Sequence, residues 1–338
     1  MRRLYALRPR HSLIHIKAHA RNLRYARHIV VTSLPAIASS PSTALPLALR
    51  FHSTLTVVRA LFVLTKPRLA FFSILTALVA YATAVEAIVF SHALFTLLGT
   101  TFAAAGALSL NQWWERRTDA LMRRTRQRPL PAAEISPGFA LLWSLSLSLA
   151  GILLLALTIN LSSAAFAAAT ILLYGIIYTP LKRRTRWATE VGSLSGALPP
   201  LLGCAAAGNL ASPHGWSLAA ILLFWQMPHF FAIGWRYRAD YRAADFPLLP
   251  AIDETGARTA AWSCFYAVLT VAASITPCIL GLFGPLYAAT ALIAGLLFLR
   301  AAFQFHAATP SRDVAARRLF LASILYLPAL LLASATSL

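Results

Sequence analysis

The stretch Asn111–Pro131, NQWWERRTDALMRRTRQRPLP, lies between two runs of roughly twenty apolar residues, each long enough to cross a bilayer. It packs two acids and six arginines into one short connection, more polarity than a linker between two spans needs. Asn111, Glu115 and Asp119 are spaced four apart, so on a helix running out of the membrane they stack on one face. Two carboxylates and an amide oxygen, one turn apart, suit an oxygen-seeking cation such as Mg²⁺, which keeps waters and takes substrate phosphates as further ligands. Just beyond stand Arg123, Arg124, Arg126 and Arg128, whose guanidinium forks match phosphate oxygens. A basic loop beside a span is commonly a topology signal, and an acid pair at this spacing is commonly wet helix surface. The amide in register with both acids tips the reading to a diphosphate site at the membrane face.

The rest of the chain agrees with a membrane setting. Of 338 residues, 59% are hydrophobic and only 12% charged, which excludes an ordinary soluble domain. Nine apolar segments are expected to span, at about 69–89, 92–110, 138–158, 161–180, 190–207, 216–235, 261–283, 285–299 and 319–337. The fold class is therefore an all-α polytopic membrane protein, with nine transmembrane helices. Net charge of +20 would suit nucleic acid, but its placement argues against that partner. With the N-terminus inside, all 30 Lys and Arg fall before the first span or in the inside connections, and the outside connections hold none. The chemistry thus belongs to the inside, cytosol-like face. Cys204, Cys264 and Cys278 all lie in apolar segments without metal-ligand spacing, so neither a disulfide nor a thiolate site is expected.

Residues 1–60 carry ten Lys or Arg and no acid, and are expected to form a poorly ordered basic extension to a nine-helix domain at 61–338. Such an Arg- and Ser-rich leader fits a mitochondrial presequence or a bacterial cytosolic extension. The compact, Arg- and Ala-rich remainder favours the bacterial inner membrane over the mitochondrial one. Lys66 and Arg68, at the start of the first span, are headgroup anchors or phosphate contacts. Tyr178-Thr-Pro-Leu-Lys182-Arg183 returns to the same face, and Lys182 and Arg183 are candidates for a second half of an anion clamp. Gln226 and His229 sit three apart in an apolar segment and should face the bundle interior. A histidine there is either a hydrogen-bonded structural residue or a contact to a polar or metal-bearing substrate. Asp240 and Asp245, with Arg236, Arg238 and Arg242, form a second cluster expected to face the first. A diphosphate above a large apolar cavity implies an isoprenoid diphosphate, whose departure leaves an allylic cation. Aromatic faces stabilise cations, and Trp113, Trp114, Tyr178 and Tyr241 are near the polar loops in sequence, although each also suits an interfacial belt.

The pattern N-x-x-x-(D/E)-x-x-x-D followed by M-x-R-T-x-x-R-P-L resembles that of the UbiA-type intramembrane prenyltransferases, and within them the heme-modifying branch. Asn111, Glu115, Asp119, Met122, Arg124, Thr125, Arg128, Pro129 and Leu130 carry the match. YTPLKRRT at 178–185, GALPPLLG at 196–203, WQMPHF at 225–230 and DYRAADFPLLP at 240–250 follow in similar order. The resemblance covers about 64–330 and implies helices around a central cavity, with farnesyl diphosphate and heme b as substrates and Mg²⁺ as cofactor. It also implies heme O as product, membrane lipid around the chain and a heme A synthase as a partner. It assigns Asn111, Glu115, Asp119 and Asp240 to metal and catalysis. Arg123, Arg124, Arg128, Lys182 and Arg183 fall to the anion, and Tyr178, Tyr241 and His229 to the substrates. Glu115 stands where the family has Asp, Asp245 where Gly is expected, and Arg236 where the wider family has an acid. The nearest alternative is a UbiA-type enzyme acting on a quinone precursor or chlorophyllide. A transporter would carry polar residues through mid-membrane, and these spans are almost bare of them.

Overall fold

A computed structural model describes residues 54–308 and 311–336, and every element in them is helical. Twelve helices follow in order: α1 Thr54–Leu64, α2 Pro67–Ala84, α3 Phe90–Asp119, α4 Pro137–Thr158, α5 Leu161–Leu181 and α6 Ala188–Ala206. Then come α7 Pro213–Arg236, α8 Arg238–Ala243, α9 Leu249–Ile252, α10 Ala257–Ile279, α11 Pro285–Ala307 and α12 Arg312–Ala335. Eight of these are long and apolar enough to cross a membrane, so the chain is a multi-pass integral membrane protein. The ninth expected span, 190–207, is α6, a helix of 19 residues. Its Gly, Ser and Pro content keeps it out of the apolar set, and most of it is buried against neighbouring helices instead of facing lipid.

Local sequence sets the helix starts. Pro137 and Pro213 occupy first helical positions, where a missing N–H is harmless, and Ser136 caps α4 by accepting from the Phe139 amide at 3.2 Å. Consecutive helices pack side by side from α2 to α6, α7 packs on α6, α10 and α12, and α12 returns to α2. At the crossing of α2 and α6 the backbones nearly touch, since a Cβ on Gly203 would run into the Ala77 carbonyl. Within α5, residues Leu172–Tyr178 form a π-helical stretch, and the Thr179 amide donates to the carbonyl of Tyr174, five residues back.

Residues 1–53 of the expected basic extension lie outside the described residues. Helix α1 begins at Thr54, within the last residues of that expected extension, on the mostly apolar segment TLTVVRALFVL. Its Ala60 and Leu64 are fully buried with Leu130, Ile135 and Ala140, so α1 packs beneath the basic loop after α3. Cys204, Cys264 and Cys278 are free thiols.

Candidate active site

The C-terminal end of α3 gathers buried polar side chains. Asn111, Glu115 and Asp119 are all buried, at 1%, 7% and 0% exposure, on a helix that continues as one piece from Phe90 to Asp119. Buried carboxylates are tolerable only with partners, and here each acid has a base. Glu115 Oε1 receives Lys182 Nζ at 2.7 Å, and Asp119 Oδ2 receives Arg128 Nη1 at 2.7 Å. Asn111 Oδ1 accepts from Lys66 Nζ at 2.6 Å. Its Nδ2 donates to Thr179 Oγ1 at 3.0 Å, which donates in turn to the Tyr174 carbonyl at 2.7 Å. Three segments far apart in sequence thus converge on α3: the α1–α2 junction, the loop after α3, and the end of α5.

The cations respond differently to their surroundings. Burial, reinforced by the nearby Arg128 guanidinium, pushes the Lys66 amine down to about 7. Burial also opposes charge on Lys182, but the Glu115 carboxylate together with the Tyr178, Tyr174 and Tyr241 hydroxyls outweighs it and holds that amine well above its ordinary value. Lys182 further stands 4.5 Å over the Tyr178 ring.

Beneath this mouth lies a cavity of about 900 Å³ of empty space, counting its open end. Tyr174 and Tyr178 line its polar end, and Ala103, Ala104, Ala107 and Leu202 line its apolar walls. Gln226 also lines it, held by its Nε2 on the Ser193 and Leu222 carbonyls at 3.2 and 2.8 Å.

The other expected site residues divide into two groups. Arg124 packs its guanidinium 5.0 Å from the Tyr237 ring, which ties the loop after α3 to the α7–α8 junction. Asp240 accepts from the backbone amides of Arg123 and Arg124, at 3.4 and 3.3 Å, and therefore holds that loop. Tyr241 packs on Phe246 at 6.0 Å beside the same loop. The side chains of Arg123 and Arg183 are exposed and form no ion pair among the described residues. His229 lies on α7 with Nδ1 2.8 Å from Ser323 Oγ of α12. Asp245 takes a left-handed backbone, φ 54°, at the turn that closes α8, the conformation for which glycine is the usual residue.

Several contributors escape sequence reasoning. Gln112 is buried and donates from Nε2 to the Val63 and Leu64 carbonyls at 3.1 and 2.9 Å, fixing the α1–α2 junction that carries Lys66. Thr179 joins Asn111 to the π-helical stretch. The one available signal was an amide pair, Asn111-Gln112, at the end of a run without polar partners.

Whether the acids fit a cation can be tested on their free atoms. Asp119 Oδ1 is buried without a hydrogen-bond partner, which leaves a lone pair unsatisfied in a site of oxygen donors only. No three His, Cys, Asp or Glu side chains among the described residues gather to hold an ion by themselves. The donor set fits Mg²⁺ bound jointly with phosphate oxygens and water, not a closed protein cage.

The class is thus a multi-pass helical membrane protein with ion-paired carboxylates at the mouth of an apolar cavity. The UbiA prenyltransferase family model matches residues 70–324, and the chain belongs to that family. It is 42% identical over 268 residues to the protoheme IX farnesyltransferase of Opitutus terrae, an alignment covering 79% of this chain and 90% of that protein. In fold it is similar to digeranylgeranylglyceryl phosphate synthase, with a TM-score of 0.69 at 18% identity over 83% of this chain and 98% of that one. It is also similar to a UbiA homolog from Archaeoglobus fulgidus solved with GPP and Mg²⁺, with a TM-score of 0.57 at 14% identity, covering 82% and 99%.

Proposed function

We propose that this chain transfers the farnesyl group of farnesyl diphosphate to a vinyl group of heme b, releasing diphosphate and giving heme O. The observation that carries the reading is the identity of 42% to a protoheme IX farnesyltransferase along most of both chains. The site supports it chemically. Lys66, Arg128 and Lys182 are each held on an oxygen of Asn111, Asp119 or Glu115, so positive groups already surround the place where a diphosphate would lie. A diphosphate would draw on these cations, and Asn111, Glu115 and Asp119 are the residues whose oxygens would hold Mg²⁺. Mg²⁺, when bound, neutralises charge on the diphosphate. The GPP and Mg²⁺ of the Archaeoglobus fulgidus relative support that assignment. Arg124 and Arg183 are the outer anion contacts, and Asp240 serves by anchoring the loop that bears Arg123, Arg124 and Arg128.

The cations stabilise charge that grows on the leaving oxygen, an effect worth several kcal/mol in a water-poor site. Tyr178 and Tyr174 lie where the cavity meets the ion pairs, and their ring faces meet the allylic cation as it separates. The apolar walls hold the fifteen-carbon chain and keep water from it until the heme vinyl attacks; water then completes the hydroxyethylfarnesyl group. The reaction face is cytoplasmic, in a bacterial inner membrane, and heme O passes to a heme A synthase. The test is expression in bacterial membranes that lack their own heme O synthase, with extracted hemes weighed by mass spectrometry. Heme O should appear with the intact chain and vanish with Asp119→Ala. Heme b alone, with the protein verified in the membrane, rejects the assignment in favour of a quinone precursor as acceptor.

A further inference from the structure

His229 is not used by the diphosphate site, yet its surroundings are built with care. Its Nδ1 lies 2.8 Å from Ser323 Oγ, and that hydroxyl donates to the Phe320 carbonyl at 2.6 Å. A hydroxyl has a single hydrogen. With it committed to the carbonyl, Ser323 Oγ can only accept from the ring, so Nδ1 carries the hydrogen and Nε2 keeps a lone pair. Nε2 has no hydrogen-bond partner among the described residues, and it is not sealed inside the protein. The ring itself is fixed: Trp225 stacks on it at 5.1 Å, and Phe320 lies at 5.0 Å. Trp225 Nε1 donates to the Ser323 carbonyl at 2.9 Å, so one residue of α12 locks both side chains of α7.

Seven residues further along α7, Arg236 falls within about 20° of the same face and roughly 10 Å nearer the inside surface. Its guanidinium is exposed, stands 5.7 Å from the Phe320 ring, and has no acid partner among the described residues. A free imidazole lone pair at membrane depth, an aromatic ring beside it, and an unpaired cation at the surface therefore lie along one face. Gln226, one turn before His229, and Phe230, next to it, line the prenyl cavity, so this face borders the cavity.

A flat apolar macrocycle with a ligatable iron at its centre and carboxylates on one edge matches all three features. We propose that this face of α7 and α12 seats the acceptor heme, with His229 Nε2 on the iron, Ser323 setting the ring tautomer, and Arg236 on a propionate. The inference rests on the heme reading above and adds to it where and how the acceptor binds. Ser323 is a positioning residue, acting only through His229.

The experiment uses the full chain in detergent micelles, titrated with ferric protoheme IX and followed by absorption and electron paramagnetic resonance. The wild type should show a nitrogen-ligated iron. His229→Ala should lose that signature and bind about tenfold more weakly, and added imidazole should restore the signature. Ser323→Ala should keep the ligand but shift the spectrum and weaken binding about tenfold, an effect that a purely packing role would not produce in the spectrum. Arg236→Gln should weaken protoheme binding about tenfold and leave binding of the dimethyl ester, which lacks the carboxylates, unchanged. Should His229→Ala fail to fold, Arg236→Gln at the exposed end of α7 still tests the pose. An unaltered spectrum in His229→Ala, or equal loss of acid and ester in Arg236→Gln, overturns the proposal. So does a wild type that makes heme O without a nitrogen-ligated heme. These results leave the enzymatic reading standing, whereas a wild type that neither binds heme nor makes heme O removes both.

Discussion

Replacing Lys182 with methionine isolates the energetics of the buried pair at the mouth. The Lys182 Nζ and Glu115 Oε1 atoms are 2.7 Å apart on side chains exposed by 13% and 9%. At an effective dielectric near 20, the gross attraction over that distance is about 6 kcal/mol, most of it offset by desolvation of both groups. Breaking such a pair from one side strands the other charge and costs about 3–5 kcal/mol. In Lys182→Met the stranded Glu115 still has Lys66 and Arg128 nearby, so the low end, about 3 kcal/mol, is expected. In Glu115→Gln three cations face only Asp119, and the loss should be larger. Removing both charges together should recover about 2–3 kcal/mol relative to the sum of the single losses. The assay is unfolding by SDS in mixed micelles, followed by fluorescence of the eight tryptophans, with a chelator present throughout. Single losses that add within about 0.5 kcal/mol, or a Lys182→Met variant as stable as the parent, would show that the pair is not energetically coupled.

Three further outcomes are expected. Asp245→Gly should raise stability by up to about 1 kcal/mol, because glycine takes φ 54° without strain; a loss in the same SDS titration would assign the Asp245 side chain a role of its own. Gly203→Ala should cost about 1–3 kcal/mol by forcing α6 away from the Ala77 carbonyl, and an unchanged midpoint would contradict the close approach of the helices. Ala104→Phe should narrow the prenyl cavity, lowering kcat/KM for farnesyl diphosphate about tenfold while sparing geranyl diphosphate. Equal losses with both donors would place the chain elsewhere.

The helices were legible because bilayer thickness imposes a length on apolar runs. The span at 190–207 shows where that signal weakens: α6 is shielded by its neighbours, so small residues replaced the apolar ones that lipid would demand. Asn111, Glu115 and Asp119 could be read as one face because a single helix carries all three. From the sequence, Asp240 reads as a metal ligand in a cluster facing the first. That it accepts from the backbone amides of Arg123 and Arg124, more than a hundred positions away, was not legible, because backbone donors leave no mark in a sequence. Gln112 and Ser323 stayed hidden for a related reason, as both act on carbonyls or on another side chain brought near only by packing.

The π-helical stretch of α5 has a consequence for how this site can vary. Such a stretch is an α-helix that has absorbed extra length, and everything after it is rotated by about 100° for each residue gained or lost. Thr179 meets Asn111 and Lys182 meets Glu115 just past that shift. Their convergence is therefore a matter of phase, set by how many residues lie between Leu172 and Tyr178 more than by which ones they are. The loss of a single residue there would turn the lysine from the mouth even with Tyr174, Tyr178 and the residues of α3 unchanged.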